Sequence, residues 1–227
     1  MLRVKIAIDG PAGAGKSTIA RLLAKRLGLR YLDTGAMYRA LTLAALQRGV
    51  PCSDEEALLR VATSMDLKIV FEQETKSNLI YLDGEDVTFL IRQPEVNANV
   101  SLVSSHKKVR DFIAALQKEI GRQGSIVMDG RDIGTVVMPD ANWKIFLQAS
   151  VGERARRRMR EMQRNGHDVD ILELEEQIRQ RDHLDSTREN SPLRKAEDAI
   201  EVDTTHLSIE DVVDKVLAII RGADRDV

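Results

Sequence analysis

The sequence predicts an α/β fold built on a central, mainly parallel sheet of five strands. A short apolar run at residues 3–9 leads through a glycine-rich loop into the segment 16–27, whose leucines and isoleucine recur at helical spacing. Four more short apolar runs alternate with helical segments along the chain. Because such runs are typical of parallel strands buried on both faces, we expect helices on each side of the sheet, in three layers.

The same patterns place the other elements in order. Beyond the first strand, apolar runs predict strands at 31–32, 125–129, 143–149 and 199–203. Helical periodicity predicts helices at 16–27, 35–47, 106–122, 153–164, 172–188 and 209–221. The region 66–88 differs, because its segments LKIVF and NLIYL are separated by the polar stretch 72–77. This region predicts a small β hairpin inserted into the α/β alternation.

Composition excludes several classes of protein. The chain has 227 residues, of which 43% are hydrophobic and 31% charged, with a formal net charge of -2. These values are typical of a soluble folded protein, and they argue against disorder and against nucleic-acid binding by charge alone. The one cysteine, Cys52, excludes an internal disulfide, and no run approaches the roughly 18 apolar residues of a membrane span. We expect a cytoplasmic protein with neither nucleic acid nor membrane as a partner.

The glycine-rich loop predicts a phosphate-binding site. Residues 10–17, GPAGAGKS, match the pattern G-x-x-x-x-G-K-[ST] between a predicted strand and a predicted helix. Glycines let backbone N–H groups turn toward phosphate oxygens, and the helix start adds a positive dipole end. Lys16 is expected to reach the β- and γ-phosphates, and the Ser17 hydroxyl to bind Mg²⁺. The pattern predicts binding of a nucleoside triphosphate with Mg²⁺ through Gly10, Pro11, Ala12, Gly13, Ala14, Gly15, Lys16 and Ser17.

The loop alone leaves the kind of nucleotide-binding protein open. A switch GTPase would usually carry an N-K-x-D motif, which this sequence lacks. A switch or a motor ATPase would also need an aspartate at a strand end to hold Mg²⁺, and Asp129 fits that position as well.

Arginines and carboxylates in other segments predict a second anion site. Tyr38 and Arg39 are expected in the first turn of the helix that follows the second strand. Arg131 and Asp132 follow the strand at 125–129, at the edge where open α/β sheets bind ligands. A surface salt bridge is the ordinary alternative for each, but an Arg-Asp pair beside glycine at a strand end favours function.

The two charged helices predicted at 153–164 and 172–188 indicate a mobile lid. Arg181, Asp185 and Arg188 are spaced i, i+4, i+7, so we expect them on one helix face. The basic run ERARRRMR at 153–160 would be a solvated face or a nucleic-acid patch in other proteins. A lid that closes about a hinge at 165–166 explains its density of arginines, and Arg157 is expected to contact ATP.

Four segments in chain order resemble the bacterial cytidylate kinase family. They are IDGPAGAGKST at 8–18, LDTGAMYR at 32–39, MDGRDIGTVV at 128–137 and RDHLDSTRENSPL at 181–193. The insertion at about 64–92 resembles the additional segment of the long bacterial form. The resemblance implies a P-loop fold with a core (1–33, 123–150, 193–227), a nucleoside-monophosphate-binding region (34–122) and a lid (151–192). It implies transfer of a phosphoryl group from ATP to CMP or dCMP.

The resemblance also implies roles for individual residues. Cytosine would be recognised by Thr34, Ser101, Arg110 and Asp132. The acceptor phosphate would be bound by Tyr38, Arg39, Arg131 and Arg188, and the sugar by Arg181 and Asp185. The resemblance places ATP on the loop from Gly10 to Thr18. The residues expected to act in catalysis are Lys16, Arg131 and Arg188.

The acceptor explains why no catalytic histidine is needed. A nucleoside monophosphate already carries an anionic oxygen near neutral pH, so in-line transfer to it requires positioning and charge neutralisation but no general base. We expect a monomer. Three alternatives remain at this point: a related kinase for UMP, AMP or shikimate, a regulatory nucleotide switch, and a nucleic-acid-binding module, which the charge balance disfavours.

Overall fold

The computed structural model describes residues 3–164 and 169–222, which form a five-stranded parallel sheet with helices on both faces and a separate small sheet. The strands are β1 (Lys5–Asp9), β2 (Arg30–Asp33), β3 (Leu67–Phe71), β4 (Asn78–Leu82), β5 (Glu85–Asp86), β6 (Ile126–Gly130), β7 (Trp143–Gln148) and β8 (Ile200–Asp203). The helices are α1 (Lys16–Leu27), α2 (Thr34–Gln47), α3 (Glu55–Ser64), α4 (Pro94–Val103), α5 (Lys107–Arg122), α6 (Val151–Arg164), α7 (Ile171–Thr187) and α8 (Ile209–Arg221).

The central sheet has the strand order β2-β6-β1-β7-β8, with every neighbouring pair parallel. Its register aligns Asp9 with Gly130 and Asp33 with Asp129, so the carboxyl ends of β1, β2 and β6 meet at one edge. In an open α/β sheet this edge is where ligands bind. The predicted fold class is therefore confirmed, and the segments at 8–18, 32–39 and 128–137 lie at that edge.

The central sheet separates two hydrophobic cores, because successive side chains of a strand point to opposite faces of the sheet. Ile6 and Ile8 of β1 pack with α1 and α8 on one face, whereas Ala7 between them packs with α2 on the other. Met128 of β6 faces the α2 side and Val127 faces the α1 side, and both are fully buried. Successive strand side chains point to opposite faces, which makes three layers.

The inserted region is larger than a hairpin. Strands β3, β4 and β5 form an antiparallel three-stranded sheet, with β4 in the middle. Helices α3 and α4, on either side of that sheet in the chain, were not predicted. None of the helices in the described parts of the chain has both the length and the apolar character needed to cross a membrane.

Candidate active site

The phosphate loop needs glycine at Gly10, where a side chain would clash with β7. A Cβ on Gly10 would lie 1.9 Å from the carbonyl oxygen of Leu147 in β7, and Gly10 has φ +148°. Gly15, at φ 89°, is the N-cap of α1, whose first residue is Lys16. The Lys16 ammonium is buried and donates to the Pro11 carbonyl at 2.7 Å, so it lies across the loop. Desolvation is the main cause that holds the pKa of Lys16 well below its ordinary value, and the nearby charge of Arg131 lowers it further.

Helix α6 contacts the phosphate loop and is bonded to α7 through the same arginine. Arg154 of α6 donates from Nη1 to the Ala12 carbonyl at 3.1 Å and forms two hydrogen bonds to Asp182 of α7, at 3.0 and 2.6 Å. Arg154 is buried, and neither it nor Asp182 was among the predicted site residues. Arg157, predicted to contact ATP, lies next to the loop: its Nη1 donates at 3.1 Å to Thr204, whose hydroxyl in turn donates to Ala14 at 3.3 Å.

A buried carboxylate lies directly behind Ser17. The Ser17 hydroxyl donates to Asp129 Oδ2 at 2.8 Å, and the Tyr31 hydroxyl donates to Oδ1 at 2.8 Å. Burial, with a smaller effect from the charge of Asp33, raises the pKa of Asp129 to about 6. A hydroxyl and a carboxylate beside a phosphate loop are oxygen donors of the kind that Mg²⁺ prefers, so these residues fit the expected ion.

The predicted second site begins at Arg131, which follows β6. Its Nε donates to Asp185 Oδ2 of α7 at 2.8 Å, and Arg188 Nη1 lies 3.6 Å from Asp185 Oδ1. Desolvation is the main cause that lowers the pKa of Arg181 to about 10, and the nearby charge of Arg131 is the second. Three guanidiniums therefore surround one carboxylate. Buried nitrogens of Arg181 (Nε) and Arg188 (Nη2) have no hydrogen-bond partner within the described residues, so these two N–H groups could donate to an anion.

A second cluster joins two of the four predicted base-recognition residues, Arg110 and Asp132. Arg110 Nη2 donates to Asp132 Oδ2 at 2.6 Å, and its guanidinium lies over the Tyr38 ring, 5.4 Å from the centroid. Thr34 Oγ1 donates to the Asp129 carbonyl at 2.6 Å. Ser101 lies on α4 and is half-buried, and the contacts of the described residues do not connect its side chain to this cluster.

Arg39 lies beside a carboxylate, Asp33, that was not predicted. Asp33, at the end of β2, caps α2 by accepting from the Ala36 N–H at 3.1 Å. Its Oδ1 lies 3.9 Å from Arg39 Nη1, and its Oδ2 accepts from Arg92 at 2.9 Å. Asp33 does belong to the motif LDTGAMYR, but Arg92 carries no signal in the sequence that points to the site.

Two local placements differ from the prediction. Helix α2 begins at Thr34, so Tyr38 and Arg39 lie in its second turn rather than its first. Helix α7 ends at Thr187, and Arg188 has extended backbone with ψ 141°, so it reaches Asp185 from beyond the helix rather than from a shared face. The predicted hinge at 165–166 lies outside the described residues.

Comparisons with known proteins identify the family of the chain. The family model described as "Cytidylate kinase" matches residues 6–222. Curated cytidylate kinases of Bacillus cereus (strain ATCC 10987 / NRS 248) and Bacillus anthracis (strain CDC 684 / NRRL 3495) are 52% identical over 220 residues, which covers 97% of this chain and 97% of each relative.

Solved structures show the same fold at low identity. A shikimate kinase from Acinetobacter baumannii has a TM-score of 0.50 and 18% identity over 99% of this chain and 96% of its own. A gluconokinase from Sinorhizobium meliloti has a TM-score of 0.50 and 14% identity over 97% of this chain and 93% of its own. The fold is thus that of P-loop kinases, and the chain belongs to the cytidylate kinase family.

Proposed function

We propose that this enzyme transfers the γ-phosphoryl group of ATP to CMP or dCMP, giving ADP and CDP or dCDP. The observation that carries the proposal is the position of Arg131. It lies near Lys16 of the phosphate loop and is hydrogen-bonded to Asp185, the carboxylate that Arg188 also approaches. A cation shared by a nucleotide loop and a second anion site is placed to neutralise the phosphoryl group as it moves between them.

The donor side follows from the loop. Backbone N–H groups at the start of α1, with Lys16, would bind the β- and γ-phosphates of ATP. Ser17 and Asp129 would hold Mg²⁺, which when bound neutralises charge on those phosphates. Lys16 donates to Pro11 in this structure, and the other two N–H groups of its ammonium would be available for phosphate oxygens of ATP.

The acceptor side follows from the two arginine clusters. Arg39, Arg131 and Arg188 would bind the phosphate of CMP, and Arg181 with Asp185 the sugar. Asp132 would accept from the cytosine N4 amino group, and Arg110, fixed by Asp132 and stacked on Tyr38, would donate to the O2 and N3 edge. Thr34 and Ser101 complete the proposed base site. The acceptor phosphate is already anionic, so these residues position it and neutralise charge without removing a proton.

The finer organisation belongs to the same proposal. We divide the chain into a core, a monophosphate-binding region at 34–122 and a lid at 151–192 that closes to exclude water from the transferring phosphoryl group. The enzyme would act as a monomer in the cytoplasm, with Mg²⁺ and ATP.

The test is ADP formation from ATP and Mg²⁺ with CMP, dCMP, UMP, AMP and shikimate offered separately. We expect rapid turnover with CMP and dCMP and slow turnover with the others. Turnover centred on another acceptor would replace the base assignment. ATP binding without any acceptor-dependent turnover would favour a regulatory switch.

A further inference from the structure

The inserted β sheet is fastened to the end of β2 beside the acceptor site. Asn78, the first residue of β4, accepts from the Asp33 backbone N–H at 2.7 Å and donates to the Tyr31 carbonyl at 2.6 Å. Strand β2 is an edge strand of the central sheet. One amide side chain therefore satisfies two backbone groups that an edge strand would leave unpaired, and it fixes the position of Asp33.

Two guanidiniums share the Asp33 carboxylate unequally. Arg92, in the turn Leu90–Arg92 that follows the inserted sheet, takes Oδ2 at 2.9 Å. Arg39 of α2 stays 3.9 Å from Oδ1, beyond hydrogen-bond distance. Within the described residues, Arg39 Nε is also buried without a hydrogen-bond partner. The arginine of the proposed acceptor site is thus the less satisfied of the two.

If Arg39 and Arg92 compete for Asp33, the outcome sets whether the Arg39 guanidinium is free to donate to a ligand. The Asp33 side chain is 7% exposed, so its negative charge is poorly screened and attracts any cation that can reach it. With Arg92 absent, Arg39 would be the remaining arginine beside this carboxylate. A close Asp33–Arg39 pair would satisfy the guanidinium internally, and an incoming phosphate would have to break that pair.

We propose that Arg92 is a positioning residue for the acceptor: by occupying Asp33, it keeps Arg39 available for the phosphate of the nucleoside monophosphate. This inference rests on the proposed function, and it gives the inserted region a role in binding the acceptor. A purely structural role is the weaker explanation, because the Arg92 side chain is 56% exposed and exposed ion pairs contribute little to stability.

The experiment compares Arg92→Met with the double variant Asp33→Asn/Arg92→Met. Methionine keeps most of the aliphatic length and removes the charge, and asparagine keeps an oxygen that can cap α2. For Arg92→Met we expect the KM for CMP and the calorimetric Kd of CMP without ATP to rise by about tenfold, with the KM for ATP changed by less than about twofold. In the double variant the competing charge is gone, so the Kd of CMP should return to within about threefold of the wild-type value.

The control is Arg48→Met. Arg48 forms another Arg–Asp pair between α2 and the inserted region, at 2.8 Å from Asp83, and lies outside the proposed site. We expect CMP binding to be unchanged in this variant. An unchanged Kd in Arg92→Met would overturn the proposal, and so would a weakened Kd that Asp33→Asn does not restore. A wild-type protein that binds CMP without phosphorylating it would instead contradict the proposed function, since the inference is judged on CMP affinity across the variants.

Discussion

Arg154 of α6 and Asp182 of α7 form an ion pair with two hydrogen bonds, and the same guanidinium reaches the phosphate loop at Ala12. Arg154 also donates from Nε to the Ala149 carbonyl at 2.9 Å, and the Arg154 side chain is 4% exposed. One arginine therefore connects the two helices of the proposed lid with the loop that would hold ATP. Replacing it should alter stability and ATP binding together.

We expect Arg154→Met to lower the free energy of unfolding by about 2 to 3 kcal/mol. The loss is smaller than for a fully buried pair, because Asp182 keeps 25% of its side-chain exposure. The Kd of ATP should rise as well, since the Ala12 carbonyl loses its donor. Chemical denaturation and ATP titration measure the two effects.

The matched control for this variant is Arg156→Met on the same helix. Arg156 is 51% exposed and pairs with Glu153 within α6, so we expect its loss to cost under about 0.5 kcal/mol. Equal effects of the two variants would show that the contact with Asp182 and Ala12 has no special weight.

Asp132 provides a test of base recognition. Cytosine offers an N4 amino donor, whereas uracil offers an O4 acceptor at the same position. In Asp132→Asn the amide can turn its NH₂ toward O4, so we expect kcat/KM for UMP relative to CMP to rise at least about tenfold.

The remaining kinetic constants identify the cause of such a change. The KM for ATP should stay near its wild-type value, because Asp132 is hydrogen-bonded to Arg110 rather than to the phosphate loop. Equal losses for ATP, CMP and UMP would assign Asp132 to structure instead of recognition.

Local sequence patterns were sufficient for the central fold. The motif at 10–17 and the apolar strand runs each lie within a few residues, and the structure has its sheet and loop where they predict. Helix α3 also had a local signal that was overlooked: Asp54 caps it, Glu55 and Glu56 occupy its first turn, and apolar residues follow at helical spacing. The family resemblance is confirmed by the comparisons.

Contacts between distant segments could not be predicted in this way. Arg92 and Asp33 are 59 residues apart, and Arg154 and Asp182 are 28 apart. Whether such pairs form depends on how the inserted sheet packs on β2 and how α6 packs on α7. No spacing rule encodes either arrangement, because periodicity reports which face of an element is buried but not its partner.

Gly10 tests the steric requirement of the phosphate loop. In Gly10→Ala the new Cβ would meet the Leu147 backbone oxygen, so we expect the free energy of unfolding to fall by more than about 3 kcal/mol. Gly124→Ala separates this clash from the cost of positive φ, because Gly124 also has φ +148° and its Cβ would meet only the end of the Arg30 side chain, at 3.6 Å. That variant should cost about 1 to 3 kcal/mol. Similar losses in denaturant titrations of both variants would argue against the clash with β7.

Asp9, the last residue of β1, should make stability depend on pH in an unusual direction. Its carboxylate accepts from the Ile133 and Gly134 N–H groups at 2.8 and 2.7 Å, yet desolvation outweighs these bonds and raises its pKa to about 6. The native state therefore holds this proton more tightly than the unfolded state, where the ordinary value is 3.8. The stability it contributes is complete below the unfolded pKa and is lost as pH rises through about 6.

Asp9→Asn removes this titration and keeps an oxygen that can accept from one of the two N–H groups. The variant should be less stable than wild type at low pH, since the second N–H loses its acceptor. Between about pH 5 and pH 7.5, the free energy of unfolding of the variant should rise by roughly 1 to 1.5 kcal/mol relative to that of wild type. The reason is that Asp9 of the native wild-type protein loses its proton over this range, whereas asparagine does not titrate. Denaturant titrations of both proteins at the two pH values give the difference directly. A difference that does not change with pH would mean that Asp9 is ionised throughout this range, with its two backbone hydrogen bonds outweighing burial.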